Sequence, residues 1–233
     1  MADTKITSPH SQPHCVRIWD LPTRLFHWLL AASVIALVVT AKMGGNAMNW
    51  HLQLGHLVLA LLIFRLLWGL VGGRWSRFAS FLHSPAAMLR YLRGQTRSSD
   101  DAGHNPLGAL SVFAMLAVLL AQVVSGLLSD DEIAFSGPLT RFVSGDSVAQ
   151  ATSYHASWGQ YLLYTLVGLH LLALVVYALR GKRLVAAMIT GDKQLQQAQP
   201  ASRDDARTRL LALVLALVSG AAAWWIQQLG GAF

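Results

Sequence analysis

The chain alternates long apolar runs with shorter polar connections, and the lengths of the runs decide what they are. Five stand out, at residues 25–41, 52–71, 107–128, 158–179 and 210–229, each 17 to 22 residues long. A hydrocarbon layer about 30 Å thick needs about 20 apolar residues at 1.5 Å each, and such runs are too long for buried strands. Residues 107–128 carry no charged side chain. Leu21–Pro22 lets the first helix open earlier with Asp20 as N-cap, and Asn105–Pro106 marks the start of the third. The fourth starts a turn early, near residue 154. The pattern predicts an all-α integral membrane protein with spans at about 21–41, 52–71, 107–128, 154–179 and 210–229.

Composition agrees. Charged residues make up 12% of the 233 positions, about half the usual share of a soluble chain. A net charge of +7 would suggest nucleic acid in a soluble protein. Here the 18 Lys and Arg residues lie between the apolar runs instead, which argues against a nucleic-acid partner. The N-terminal segment holds Lys5, Arg17 and Arg24; the second connection holds five and the fourth holds seven. The first and third connections hold only Lys42 and Arg141, and Arg65 lies inside a span. By the positive-inside rule the N-terminus is cytoplasmic and the C-terminus is outside. A single cysteine, Cys15, excludes internal disulfides, Cys-based zinc or iron–sulfur sites and the C-x-x-C-H attachment of haem. The expected organisation is a disordered cytoplasmic tail at 1–16, a helical domain at 17–192, a polar linker at 193–209 and an extra transmembrane helix at 210–229.

Four of the nine histidines sit in or at the ends of apolar helices: His27, His56, His155 and His170. Ionisable groups in a span need a partner, because an unsatisfied polar group there costs several kcal/mol. His155 and His170 are 15 residues apart on one helix, so about 22 Å apart along its axis and about 60° around it. They present two imidazoles on roughly one face at two depths. His27 opens the first span from the cytoplasm and belongs with His170; His56 is one turn into the second span and belongs with His155. Two imidazoles facing one another in an apolar bundle suit axial ligation of a haem iron. Zinc wants more ligands, and a proton relay wants carboxylates that the five runs lack. Two non-covalent bis-His haems b are expected, forming a wire across the bilayer. His51 competes with His56 for the outer position.

Other residues fit around such groups. A flat macrocycle wants small neighbours, and Gly55, Gly126, Gly159 and Gly168 lie near the expected ligands, although glycine also serves plain helix packing. Propionates want cations. Arg17, Arg24 and Arg183 lie near the inner layer, with a headgroup charge as the alternative role of Arg24 and Arg183. Arg65, inside a span, needs an anion, and a propionate is the obvious one.

The segment RIWDLPTRLFHWLL at 17–30 resembles the bacterial cytochrome b561 / nickel–iron hydrogenase b-type cytochrome family. So do His56 followed by FRLLWG at 64–69, and the spacing H-x3-G-x10-H at His155, Gly159 and His170. The resemblance covers about residues 16–192. It implies a four-helix bundle in the bacterial inner membrane, two b haems on His27, His56, His155 and His170, and electron exchange with quinone. The fifth run departs from the family pattern. So does the loop DDEIAFSGPL at 130–139, which looks like that of relatives working with multihaem c-type cytochromes. Its acidic cluster could steer a basic redox partner or reflect no more than depletion of positive charge outside.

The leading expectation is a diheme subunit moving electrons between the quinone pool and a periplasmic c-type cytochrome or oxidoreductase subunit. No acid–base pair, nucleophile or phosphate loop is present, so the protein's part is to hold and tune haems. A stand-alone superoxide:quinone oxidoreductase is the alternative, opposed by an outer face with two cations and three clustered acids. A non-redox membrane anchor or transporter with structural histidines is the third.

Overall fold

The computed structural model describes residues 14–96 and 102–230. The expected tail therefore lies outside the described residues up to position 13, as does Arg97. Five helices are long and apolar enough to cross a membrane: α1 (Leu21–Met43), α2 (Ala47–Val71), α4 (Pro106–Leu127), a fourth continuous span, and α8 (Ala206–Gln228). The fourth span comprises α5 (Gly145–Ser153), a π-helical turn (Tyr154–Gly159) and α6 (Gln160–Leu179). The amphipathic helix α3 (Pro85–Leu92) and the short apolar helix α7 (Leu184–Thr190) lie in the connections.

Capping chemistry sets the starts. The Asp20 side chain accepts from the Thr23 amide with Pro22 in the first turn, and Asn105 accepts from Gly108 ahead of Pro106. The second helix begins at Ala47, five residues before the apolar run does, which draws Trp50 and His51 into the helix.

The central helix is α2, which buries Val58, Leu62, Phe64 and Trp68 in the main apolar core with Phe26, Leu116, Leu119, Leu163 and Ala212. It packs against α1 on one side and α8 on another, while α4 packs against α6. The α8 face is built from small residues, Ala212, Ser219 and Ala223, which let the backbones approach closely. Ser219 satisfies its hydroxyl on the Leu215 carbonyl. The fifth helix is thus part of the bundle.

A two-stranded antiparallel sheet was not legible in advance. β1 (His14–Arg17) pairs with β2 (Asp192–Leu195), placing Arg17 opposite Asp192. Arg17 donates to Asp192 at 2.6 Å and to Asp204 at 2.7 Å, and Arg209 donates to Asp204 at 3.0 Å. Burial raises the Asp204 pKa, but hydrogen bonds from Arg209, the Leu21 amide and Arg17 together outweigh it and hold the carboxyl below the usual range. This clasp ties the entry to α1, the strand after α7 and the first turn of α8. Beside it, Asp20 is fully buried and accepts from Thr23 N at 2.8 Å, Ser76 Oγ at 2.6 Å and Trp68 Nε1 at 3.3 Å. His104 closes this end between the rings of Trp19 (4.7 Å) and Phe81 (4.6 Å).

Candidate haem sites

The space between the α1–α2 pair and the α4–α6 pair is where histidines from different helices meet. In one half of the bundle, the His27 ring on α1 faces the His170 ring on α6, with centroids 6.4 Å apart. In the other half, the His51 ring on α2 faces the His155 ring in the π turn, with centroids 6.1 Å apart. A metal–imidazole bond is about 2 Å and the ring centre lies about 1 Å beyond the nitrogen, so imidazoles on opposite faces of one iron have centres about 6 Å apart. Both pairs have that spacing. Among the described residues, no three of His, Cys, Asp and Glu gather at a metal-sized site.

The tautomers of one pair fit as well, whereas His27 Nδ1 is buried without a partner. His155 Nδ1 donates to the Gln122 carbonyl at 2.8 Å and His51 Nδ1 donates to the Leu37 carbonyl at 3.0 Å. An Nδ1–H held by a carbonyl leaves Nε2 with its lone pair, the form a metal binds. The Gln122 amide completes the hold on this turn by donating to the His155 carbonyl at 2.9 Å. The π turn is a local widening of the helix of the kind often found at functional positions. Despite it, His155 and His170 still face the first two helices.

His56 lies one turn deeper. It donates Nδ1–H to the Leu52 carbonyl at 2.7 Å, and its Nε2 is buried without a partner. It lines the same cavity of about 370 Å³ as His51 and His155, together with Gly55, Gln122 and Gly126. The ring facing His155 is nonetheless that of His51, because the helix starts early enough to carry it.

The remaining expected site residues divide. Arg65 is buried, stacks over the Phe78 ring at 4.6 Å and leaves Nη1 without a partner. Asp20 is the carboxylate within its electrostatic reach. Arg24 donates to the Ile189 carbonyl at 2.6 Å and approaches Asp204 at 4.0 Å, while its Nε is buried without a partner. At Gly159 an added methyl would meet Gln122 and the Tyr154 ring, so this glycine permits close packing of the π turn on α4. Gly126 lets the His155 ring approach, while Gly55 and Gly168 face open space. Sequence reasoning passed over Gln122, whose signal was available: it is the one amide in the charge-free run at 107–128.

Membrane helices that oppose imidazoles in pairs across a bundle define a class, the membrane cytochromes. Comparison identifies the branch. The family described as prokaryotic cytochrome b561 matches residues 18–191, and the chain belongs to it. It is a multi-pass membrane b-type cytochrome, which implies haem b and electron transfer. Among curated proteins it is similar to the "Probable Ni/Fe-hydrogenase 1 B-type cytochrome subunit" of Escherichia coli (strain K12), 25% identical over 135 residues, covering 47% of this chain and 57% of that protein. It is also similar to the "Probable Ni/Fe-hydrogenase B-type cytochrome subunit" of Azotobacter vinelandii, 28% identical over 129 residues, covering 44% and 54%. The chain thus spans a little over half the length of these curated relatives. No solved structure matches it.

Proposed function

We propose that this protein is a diheme electron-transfer subunit of the bacterial inner membrane, connecting the quinone pool with a redox partner at the periplasmic surface. The observation that carries the reading is the pair of imidazole couples, His27 with His170 and His51 with His155, each spaced for one iron. His56 is the alternative partner of His155. Bound haem b supplies reversible one-electron chemistry at iron.

The chain's own residues hold and orient these groups. The carbonyls of Leu37 and Gln122 fix two of the rings by accepting Nδ1–H. Gly55 and Gly168 leave room beside the ligand-bearing helices for a flat group. The unpartnered Nη1 of Arg65 suits a propionate. The positive-inside asymmetry supports a cytoplasmic N-terminus and a periplasmic C-terminus. The relatives, described as hydrogenase subunits, support an oxidoreductase subunit as partner; a c-type cytochrome is the other candidate.

A pyridine haemochrome assay on purified protein should give two haems b per chain, with one lost and one kept in His170→Ala. A colourless protein, or an undiminished complement in that variant, overturns the ligand assignment. Haem reduction on adding a short-chain quinol tests the quinone step separately.

A further inference from the structure

The cavity that contains His51 and His155 is walled at one end by a hairpin rather than by a helix. Ser129 and Asp130 on its outgoing leg, and Ser136, Gly137 and Pro138 on its return leg, line the space. Backbone bonds fix the legs to each other and to the end of α4: Gly137 N donates to the Ser129 carbonyl at 2.7 Å, and Leu139 N to the Leu127 carbonyl at 3.0 Å. The outgoing leg is also tied to α5, because Asp130 N donates to Thr152 Oγ1 at 3.0 Å.

The return leg leans on α8. Leu139 and Ile226 of α8 pack on one cluster, formed by Leu59 of α2, Leu127 of α4 and Ala223 of α8. Just past α8, an added Cβ at Gly230 would lie 3.0 Å from Pro138 Cα, so the chain there lies against Pro138 itself. Pro138 is buried, and it both lines the cavity and meets the end of α8. Among the described residues α8 contributes none to the cavity lining. It reaches the site only through the hairpin. Water is what such a wall excludes. Ferric haem between two neutral imidazoles carries one more positive charge than ferrous haem, so drier surroundings favour the reduced form and raise the midpoint potential. We propose that α8 positions this hairpin over the haem between His51 and His155, excludes water from it and thereby holds its potential up. The inference rests on the diheme reading. Ile226 and Leu139 are positioning residues, acting through the hairpin.

The test uses the purified, haem-loaded full chain in nanodiscs. Ile226→Ala should speed amide hydrogen–deuterium exchange at residues 129–139 by about tenfold, less than a fully buried isoleucine would give because Ile226 is half-buried. It should also shift one centre toward its ferric form by about tenfold, a fall of about 59 mV for a one-electron couple. The centre of His27 and His170 should keep its potential. Leu139→Ala should act alike, and the double variant should show less than the sum of the single effects, since both groups pack on one cluster. Leu217→Ala, at a position of α8 that is 65% exposed, is the control and should change neither readout. Unchanged exchange at 129–139 in both alanine variants overturns the support by α8. Faster exchange with both potentials unmoved overturns the link to the haem. Equal shifts of both centres overturn it too, because they mark a general loosening of the bundle. Ile226→Val, expected to give about threefold shifts in the same two readouts, serves if the alanine variants misfold. A haemochrome count of one in the wild type overturns the diheme reading, while exchange at 129–139 still reads whether α8 holds the hairpin.

Discussion

Gly126→Ala should disturb one haem and spare the other. A methyl group at Gly126 would lie 2.8 Å from Cε1 and 3.1 Å from Nδ1 of His155. Carbon atoms rest at about 3.5–4.0 Å, so the imidazole must withdraw by about 0.7 Å. It is not free to do so. Its Nδ1 is bonded to the Gln122 carbonyl, one turn away on the same helix as Gly126, and its backbone carbonyl accepts from the Gln122 amide. Metal–ligand distances hold to within about 0.2 Å, so the displacement exceeds what a bond to iron absorbs, and overpacking of this kind costs about 1–3 kcal/mol. A redox titration followed in the α-band, with electron paramagnetic resonance of the oxidised protein, should show one centre shifted or lost. The centre held by His27 and His170 should be unchanged. Gly145→Ala, where an added methyl meets nothing within 4 Å, is the neutral control. Two unaltered centres in Gly126→Ala would refute His155 as a ligand.

His51→Ala should remove the outer haem whereas His56→Ala should retain it; haem counting on the two variants decides, and the reverse result makes His56 the ligand. Asp20→Ala leaves the Thr23 amide without its acceptor and leaves Trp68 Nε1 and Ser76 Oγ with Thr23 Oγ1 alone; it should cost about 1–3 kcal/mol, lowering the melting temperature in detergent by about 3–10 °C, and a shift under about 2 °C would contradict the network. Asp204 has a folded pKa below its ordinary value, so its contribution is fully present above about pH 4 and is lost as pH falls through the folded value. Acid melting curves of Asp204→Asn should accordingly be flatter than wild type below about pH 4, and parallel curves would contradict the clasp.

Much of the bundle is legible in the sequence because lipid imposes one demand on every span, about 20 apolar residues, and each run meets it. The cap residues Asp20 and Asn105 are equally readable, since a carboxylate or amide just ahead of a proline marks a helix start, although the bonds of Asp20 to Ser76 and Trp68 are not. His27, His155 and His170 stand out as polar groups in apolar surroundings. His51 is legible only as a competitor of His56, because hydropathy starts the second span at Leu52 whereas backbone hydrogen bonding starts the helix at Ala47. The sheet is hidden for another reason: its strands are four residues long, lie 175 positions apart at Arg17 and Asp192, and pair through contacts no local pattern encodes. The role of Arg24 is obscured likewise, because its acceptors at Ile189 and Asp204 become neighbours only in the folded chain.

The packing of α8 on α2 has a consequence for biogenesis. The surface of α2 that receives Ala212 and Ser219 is complete once Val71 has left the ribosome, yet its cover is translated about 150 residues later. At 5–20 residues per second that is an interval on the order of ten seconds. Until then a groove suited to small side chains stands open to lipid or to whatever insertion factor occupies it, and this side of the bundle is sealed only when α8 arrives.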